Sequence, residues 1–153
     1  MTKGVIFEKK NGSQLRIAIA VSKWNDKITF SLLKKCQEAL LESGVKEKNI
    51  TVIKVPGAFE LPYTADHLIR TVKPNAVICL GCLIKGQTMH FEYIAEAVTQ
   101  GIMRLNLERK VPVIFGVLTC LTEKQALARA GNDENNHGYG WGKTAVEMGL
   151  LRK

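Results

Sequence analysis

Nowhere does this sequence hold the roughly 20 consecutive apolar residues that a membrane-spanning helix needs. Met1 to Gln14 is polar and lacks the apolar centre of a secretory leader. A cytoplasmic protein without a membrane partner is therefore expected. Internal repeats, low-complexity tracts and linker-like stretches are also missing, so the 153 residues are expected to form one domain (1–153), with 1–13 as an N-terminal arm. A chain of that size buries roughly 68–70% of its unfolded surface, enough for a sizeable core. The net charge is +8, yet there is no long basic run, only pairs such as Lys9-Lys10 and Lys34-Lys35. Scattered cations leave no nucleic-acid footprint, whereas an anionic small molecule needs only a few of them. No nucleic-acid partner is expected.

Signatures of cofactor and metal chemistry are lacking too. Neither GxGxxG nor GxxxxGK[ST] occurs. Cys79-x-x-Cys82 has the spacing of a redox pair, but such a pair opens a helix, and Cys79 sits inside an apolar run. A zinc site would want a second pair of comparable spacing, and Cys36 and Cys120 do not supply one. Buried thiols acting as small hydrophobes are the simpler expectation. Neither a metal nor a cofactor is expected.

What is present is alternation. Leu15 to Val21, Ile50 to Val55, Ala76 to Leu80 and Val111 to Leu118 read as short buried strands. Between them lie helical patterns. Asn25 or Asp26 can cap a helix with Ile28, Leu32, Cys36, Ala39 and Leu40 on one face, ended by Ser43-Gly44. Leu61 to Val72 is helical, and from about Met89 a long helix carries Phe91, Ile94, Ala95, Val98, Ile102 and Leu105 on one side. Thr122-Glu123-Lys124-Gln125 is a capping-box pattern for a helix through about Ala130. The polar stretch Gly131 to Gly140 leads to a last helix with Trp141, Ala145 and Met148 on one side. Strands alternating with helices predict a parallel sheet covered on both faces. In such sheets ligands bind beyond the carboxyl ends of the strands.

Those ends carry the chemically informative residues. Ser22-Lys23-Trp24-Asn25 follows the first strand, and Pro56-Gly57-Ala58-Phe59-Glu60 the second. Gly81 to His90 follows the third, and Leu118-Thr119 ends the fourth. Trp24 either covers the sheet edge or stacks on a flat heterocycle. Glu60 either compensates a helix dipole or accepts hydrogen bonds from polyol hydroxyls. Gly86-Gln87-Thr88, beside Lys85, stands between a buried strand and a helix start, where backbone N–H groups favour an anion. His90, in the first turn of that helix, can move protons near neutral pH. His67 lies mid-helix and reads as a surface residue. For Arg129 at a helix end, both C-terminal stabilisation and bidentate phosphate recognition remain open.

Several of these segments, in order and spacing, resemble the 6,7-dimethyl-8-ribityllumazine synthase family. They are Val21-Ser22-Lys23-Trp24-Asn25, Val55-Pro56-Gly57-Ala58-Phe59-Glu60-Leu61-Pro62, Gly81 to Phe91, Pro112 to Thr119 and Gln125 to Gly131. The likeness runs from about Gln14 to Leu150. It implies a flavodoxin-like three-layer α/β sandwich with a four-stranded parallel sheet. It also implies a cofactor-free condensation of 5-amino-6-(D-ribitylamino)uracil with 3,4-dihydroxy-2-butanone 4-phosphate, the penultimate step of riboflavin biosynthesis. By resemblance Trp24 stacks on the pyrimidine, and Cys82, Leu83 and Ile84 meet its edge through backbone. Ala58, Phe59 and Glu60 hold the ribityl side. Gln87 and Thr88 bind phosphate with Arg129 of a neighbouring subunit, Phe115 of a neighbour closes over the ring, and His90 transfers protons. The family builds pentamers, some of them assembled into shells, so a homo-oligomer is implied.

This chain departs from the family pattern in two places. Lys85 stands where many members have arginine, and Asn132 to Gly138 carries two acids where lysines are frequent, with His137 at a position often held by a phosphate-contacting lysine. Two rival functions use the same residues: a non-catalytic flavin- or lumazine-binding protein, and a shell-forming protein without turnover.

Overall fold

Apolar residues fill the central strand from Ile17 to Val21, which forces both of its faces to be covered. In the computed structural model, which describes residues 4–152, that strand is β1 (Ile17–Ser22), and all six of its residues are buried. The first three residues of the expected N-terminal arm lie outside the described residues. Ile17, Ile19 and Val21 point into one core with Leu33, Cys36, Leu40, Ala145 and Val146. Ala18 and Ala20 point into the other, with Leu61, Ala65, Leu68, Val98 and Ile102. Each large side chain buried in this way contributes roughly 1.5–3 kcal/mol.

The sheet contains β2 (Ile50–Val55), β1, β3 (Ala76–Ile84) and β4 (Val113–Cys120), all parallel, in the order β2-β1-β3-β4. Helices α1 (Asp26–Glu42) and α5 (His137–Arg152) cover one face, and α2 (Leu61–Val72) and α3 (His90–Arg109) the other. Helix α4 (Glu123–Arg129) packs Ala126 beyond the ends of β3 and β4 against Ile28 and Leu32. The predicted three-layer α/β sandwich is thus observed. The predicted β2 and α2 match to the residue, and the predicted face of α1 is buried throughout.

Three expectations change. First, β3 continues four residues past Leu80, pairing Gly81 to Ile84 with Val117 to Cys120. Gly81 is there for close approach: a Cβ on it would lie 3.0 Å from Leu61 Cδ1 of α2. Second, α5 begins at His137, inside the stretch read as polar loop, and its buried residues are Gly138, Gly142, Ala145, Val146 and Gly149. Trp141 is only partly buried and Met148 is exposed. A Cβ on Gly138 would stand 2.1 Å from the Leu32 carbonyl oxygen, and one on Gly142 2.7 Å from that of Cys36. The glycines let α5 cross α1 backbone to backbone. Third, Asn25 precedes α1 with φ 58° and makes no side-chain cap. Asparagine is among the few residues that tolerate this left-handed conformation.

Candidate active site

The site begins where β1 stops. Lys23 N donates to Val55 O (2.8 Å) and Trp24 N to Pro56 O (3.1 Å), carrying the parallel pairing one step beyond the strand and fixing Trp24 above the rim. Its indole is 72% exposed. Gly57 lies beneath it in extended conformation: a Cβ there would come within 3.1 Å of Trp24 Cδ1 and 3.2 Å of Glu60 Oε2. The bare backbone lets the indole and the carboxylate close in from two sides.

A short 3₁₀ turn, Ala58–Glu60, follows. Ala58 is buried, while Phe59 is exposed at the rim. Glu60 Oε2 accepts from Gly57 N at 2.9 Å, so one carboxylate oxygen stabilises its own turn. Glu60 thus caps its own turn, with acceptor capacity left on its second oxygen.

Strand β3 supplies the floor. Its pairing with β1 ends at Leu80, whereas its pairing with β4 runs to Ile84. Along Cys82–Ile84 one edge is thus satisfied and the other faces the rim, presenting backbone donors and acceptors to whatever lies there. Asn25 Nδ2 donates to Cys82 O at 3.0 Å, tying the chain after β1 to this edge. In the sequence Asn25 stands only as a candidate cap, and its tolerance of φ > 0 is the one local signal of this tie. Cys82 itself is buried. Burial pushes the thiols of Cys79 and Cys82 up to about 12, with Cys120 adding to the effect at Cys82, so both remain protonated at neutral pH. This fits thiols that pack as small apolar groups.

The loop Lys85 to Met89 leaves β3 with Lys85 N bonded to Cys120 O (2.9 Å). Gln87, Thr88, Met89 and His90 are all exposed. His90 is the first residue of α3, and its backbone N–H reaches Thr88 Oγ1 at 3.4 Å. A threonine hydroxyl, an imidazole and the N-terminus of a 20-residue helix therefore share one corner of the rim.

The two remaining expected residues, Phe115 and Arg129, sit on β4 and α4. Phe115 lies opposite Cys79 in the middle of edge strand β4, facing a groove of about 540 Å³ lined also by Phe91, Glu92, Ala95, Thr119 and Leu121. Arg129 ends α4, and its Nη1 donates to Gln125 O at 2.9 Å, the helix-stabilising role. It also sits beside His137, whose imidazole is held below its ordinary value by burial first and by this guanidinium second. His137 packs edge-on against Trp141 at 5.7 Å between ring centroids. Neither Phe115 nor Arg129 bonds to a rim residue among the described residues. His67 is half-buried on α2 and bonds only through its carbonyl, to Thr71 Oγ1. Among the described residues no three His, Cys, Asp or Glu side chains stand together in a way that could hold a metal ion.

An open parallel sheet with an aromatic platform, a carboxylate, free backbone edges and an imidazole gathered at its topological switch point defines an α/β enzyme acting on a small molecule. A sequence model of the 6,7-dimethyl-8-ribityllumazine synthase family matches residues 14–153. The chain is 50% identical to the 6,7-dimethyl-8-ribityllumazine synthase of Schizosaccharomyces pombe, covering 91% of this chain and 89% of that one. It is 48% identical to that of Porphyromonas gingivalis (93% and 88% covered) and 44% identical to that of Pyricularia oryzae (99% and 95% covered). The chain belongs to the 6,7-dimethyl-8-ribityllumazine synthase family, transferases of riboflavin biosynthesis.

Proposed function

We propose that this chain condenses 5-amino-6-(D-ribitylamino)uracil with 3,4-dihydroxy-2-butanone 4-phosphate, releasing phosphate and water. The observation that carries the reading is the gathering of Trp24, Ala58, Phe59, Glu60, the open edge of Cys82–Ile84, Gln87, Thr88 and His90 on one rim. The pyrimidine stacks on Trp24, with its polar edge against the backbone of Cys82, Leu83 and Ile84. Glu60 takes ribityl hydroxyls beside Ala58 and Phe59. Gln87 and Thr88 hold the phosphate at the N-terminus of α3, where the helix dipole and amide donors favour an anion.

The chemistry asks for little more. The amine attacks the ketone to form an imine with loss of water, phosphate is eliminated, and attack of the ribityl-bearing nitrogen on the remaining carbonyl closes the ring with loss of a second water. Every step moves a proton, and His90 stands where it can supply and remove them. Holding two substrates in register accounts for much of the acceleration. The phosphate subsite also stabilises the departing anion.

Phe115 and Arg129 enter from a neighbouring subunit. The lack of a hydrogen bond from either side chain to a rim residue among the described residues supports that reading, as do the apolar groove at Phe115 and the exposed Met103 and Leu107 further along α3. A large exposed apolar strip of this kind marks an association surface. The assembly is a pentamer or a multiple of pentamers working in the cytoplasm.

The test is a two-substrate assay that follows the absorbance and fluorescence of the lumazine. Product formation that requires both substrates is expected. Tight lumazine or flavin binding without turnover would overturn the proposal.

A further inference from the structure

One charged pair beside the rim has a geometry that bears on how the anion is held. Lys85, which opens the Gln87–Thr88 loop, directs its ammonium to Glu92 Oε1 in the first turn of α3. The same ammonium lies 5.8 Å from the centroid of the Phe91 ring. The loop is thus closed on itself from residue 85 to residue 92, with the proposed phosphate ligands Gln87 and Thr88 inside the closure. The other oxygen, Glu92 Oε2, has no solvent exposure and no hydrogen-bond donor among the described residues.

A carboxylate that has lost water at one oxygen without gaining a donor leans on the positive charges around it, here the Lys85 ammonium and the N-terminus of α3. Removing the ammonium would leave Glu92 poorly compensated beside the apolar groove it lines with Phe91, Ala95 and Phe115. Lys85 is therefore not a free cation waiting for an anion. A phosphate arriving at Gln87–Thr88 competes with Glu92 for it.

We infer that Glu92 sets the anion affinity of this loop by holding Lys85 back, a specificity-determining role that rests on the phosphate subsite proposed above. Full engagement of Lys85 would hold phosphate both as part of the substrate and as the released product. The competing carboxylate damps both and recovers the ammonium when phosphate departs. Glu92 touches neither substrate; it acts through Lys85.

The test is calorimetric titration of inorganic phosphate into the assembled protein, paired with steady-state kinetics. Glu92→Gln keeps the shape and removes the competing charge. Phosphate should then bind about fivefold tighter, the scale of one partly exposed ion pair. The KM for the phosphorylated ketone should fall, and the KM for the pyrimidine should not change. Loss of packing weakens binding and does not tighten it, so a gain separates this role from a structural one. Lys85→Met added to Glu92→Gln should return affinity to within about twofold of the parent, since both partners are gone.

Unchanged or weaker phosphate binding in Glu92→Gln overturns the inference, as does a double variant that keeps the gain. Thr88→Val separates the two levels. If it leaves phosphate binding intact, the subsite itself is misassigned and the inference falls with it. If it abolishes binding while Glu92→Gln has no effect, only the role of Glu92 is lost.

Discussion

His90 is exposed, and among the described residues its imidazole makes no hydrogen bond while its backbone N–H reaches Thr88 Oγ1, so the ring is free to meet substrate and contributes little to packing. Replacing it separates chemistry from structure. His90→Ala is expected to lower kcat about 100-fold or more, the usual scale for losing a general acid–base, while the thermal midpoint and sedimentation remain those of the parent. Near-normal turnover would remove His90 from the mechanism. Its neighbours show how local sequence and distant packing divide the work. The short spacing from Thr88 to His90 puts hydroxyl and imidazole at one helix start, and that was legible directly. The tie from Asn25 to the Cys82 carbonyl spans 57 positions and has no local signature beyond a residue able to take φ 58°. Glu60 shows both sides at once, as its bland role within its own turn coexists with its place at the rim.

At the level of elements, α5 is the instructive case. The stretch Gly131 to Gly140 reads as loop because it is polar, and its glycines disfavour helix as well. The structure makes it helical from His137 because Gly138 and Gly142 let the backbone of α5 meet α1 closely. Gly138→Ala is expected to cost about 3 kcal/mol, since overpacking against a backbone carbonyl outweighs the better helix propensity of alanine. Urea unfolding measures this, and an unchanged or raised midpoint would contradict the crossing.

The same helix is pinned to the end of α1 by Tyr139, whose phenol donates to Glu42 Oε2 at 2.5 Å. That bond, then burial, then the negative charges of Glu42, Glu134 and Glu38 push the phenol up from 10.0 to about 12. The folded state holds this proton more tightly than the unfolded chain. Its stabilising contribution is therefore complete below about pH 10 and disappears as the pH climbs through about 12. Tyr139→Phe lacks it throughout, so the gap in unfolding midpoint between the two proteins should stay constant below pH 10 and narrow above it. A gap that persists to pH 12 would detach Tyr139 from the alkaline response.

For the whole molecule, the proposed entry of Arg129 and Phe115 from a neighbouring subunit makes a sharp expectation. If each site takes His90 from one subunit and Arg129 from the next, His90→Ala and Arg129→Ala subunits are each defective alone. Denatured together in equal amounts and refolded, they should regain about a quarter of parental activity at limiting phosphorylated ketone, because that share of interfaces in a random ring pairs two intact partners. Absence of recovery in correctly assembled mixtures would place the entire site within one chain.

The sequence by itself determined the alternation of buried strands and helices and which residues gather at the carboxyl ends of the strands. These follow from hydrophobic period and from which side chains stand next to a strand end, both of which are local properties. The tertiary structure alone decided what the glycines were for. Gly81 and Gly138 have no side chain to advertise a role, and whether glycine breaks an element or admits a neighbour depends on what packs against it. It also decided that Lys85 is paired with Glu92 and that Asn25 is tied to the Cys82 carbonyl, because such relations join residues whose meeting only the fold arranges.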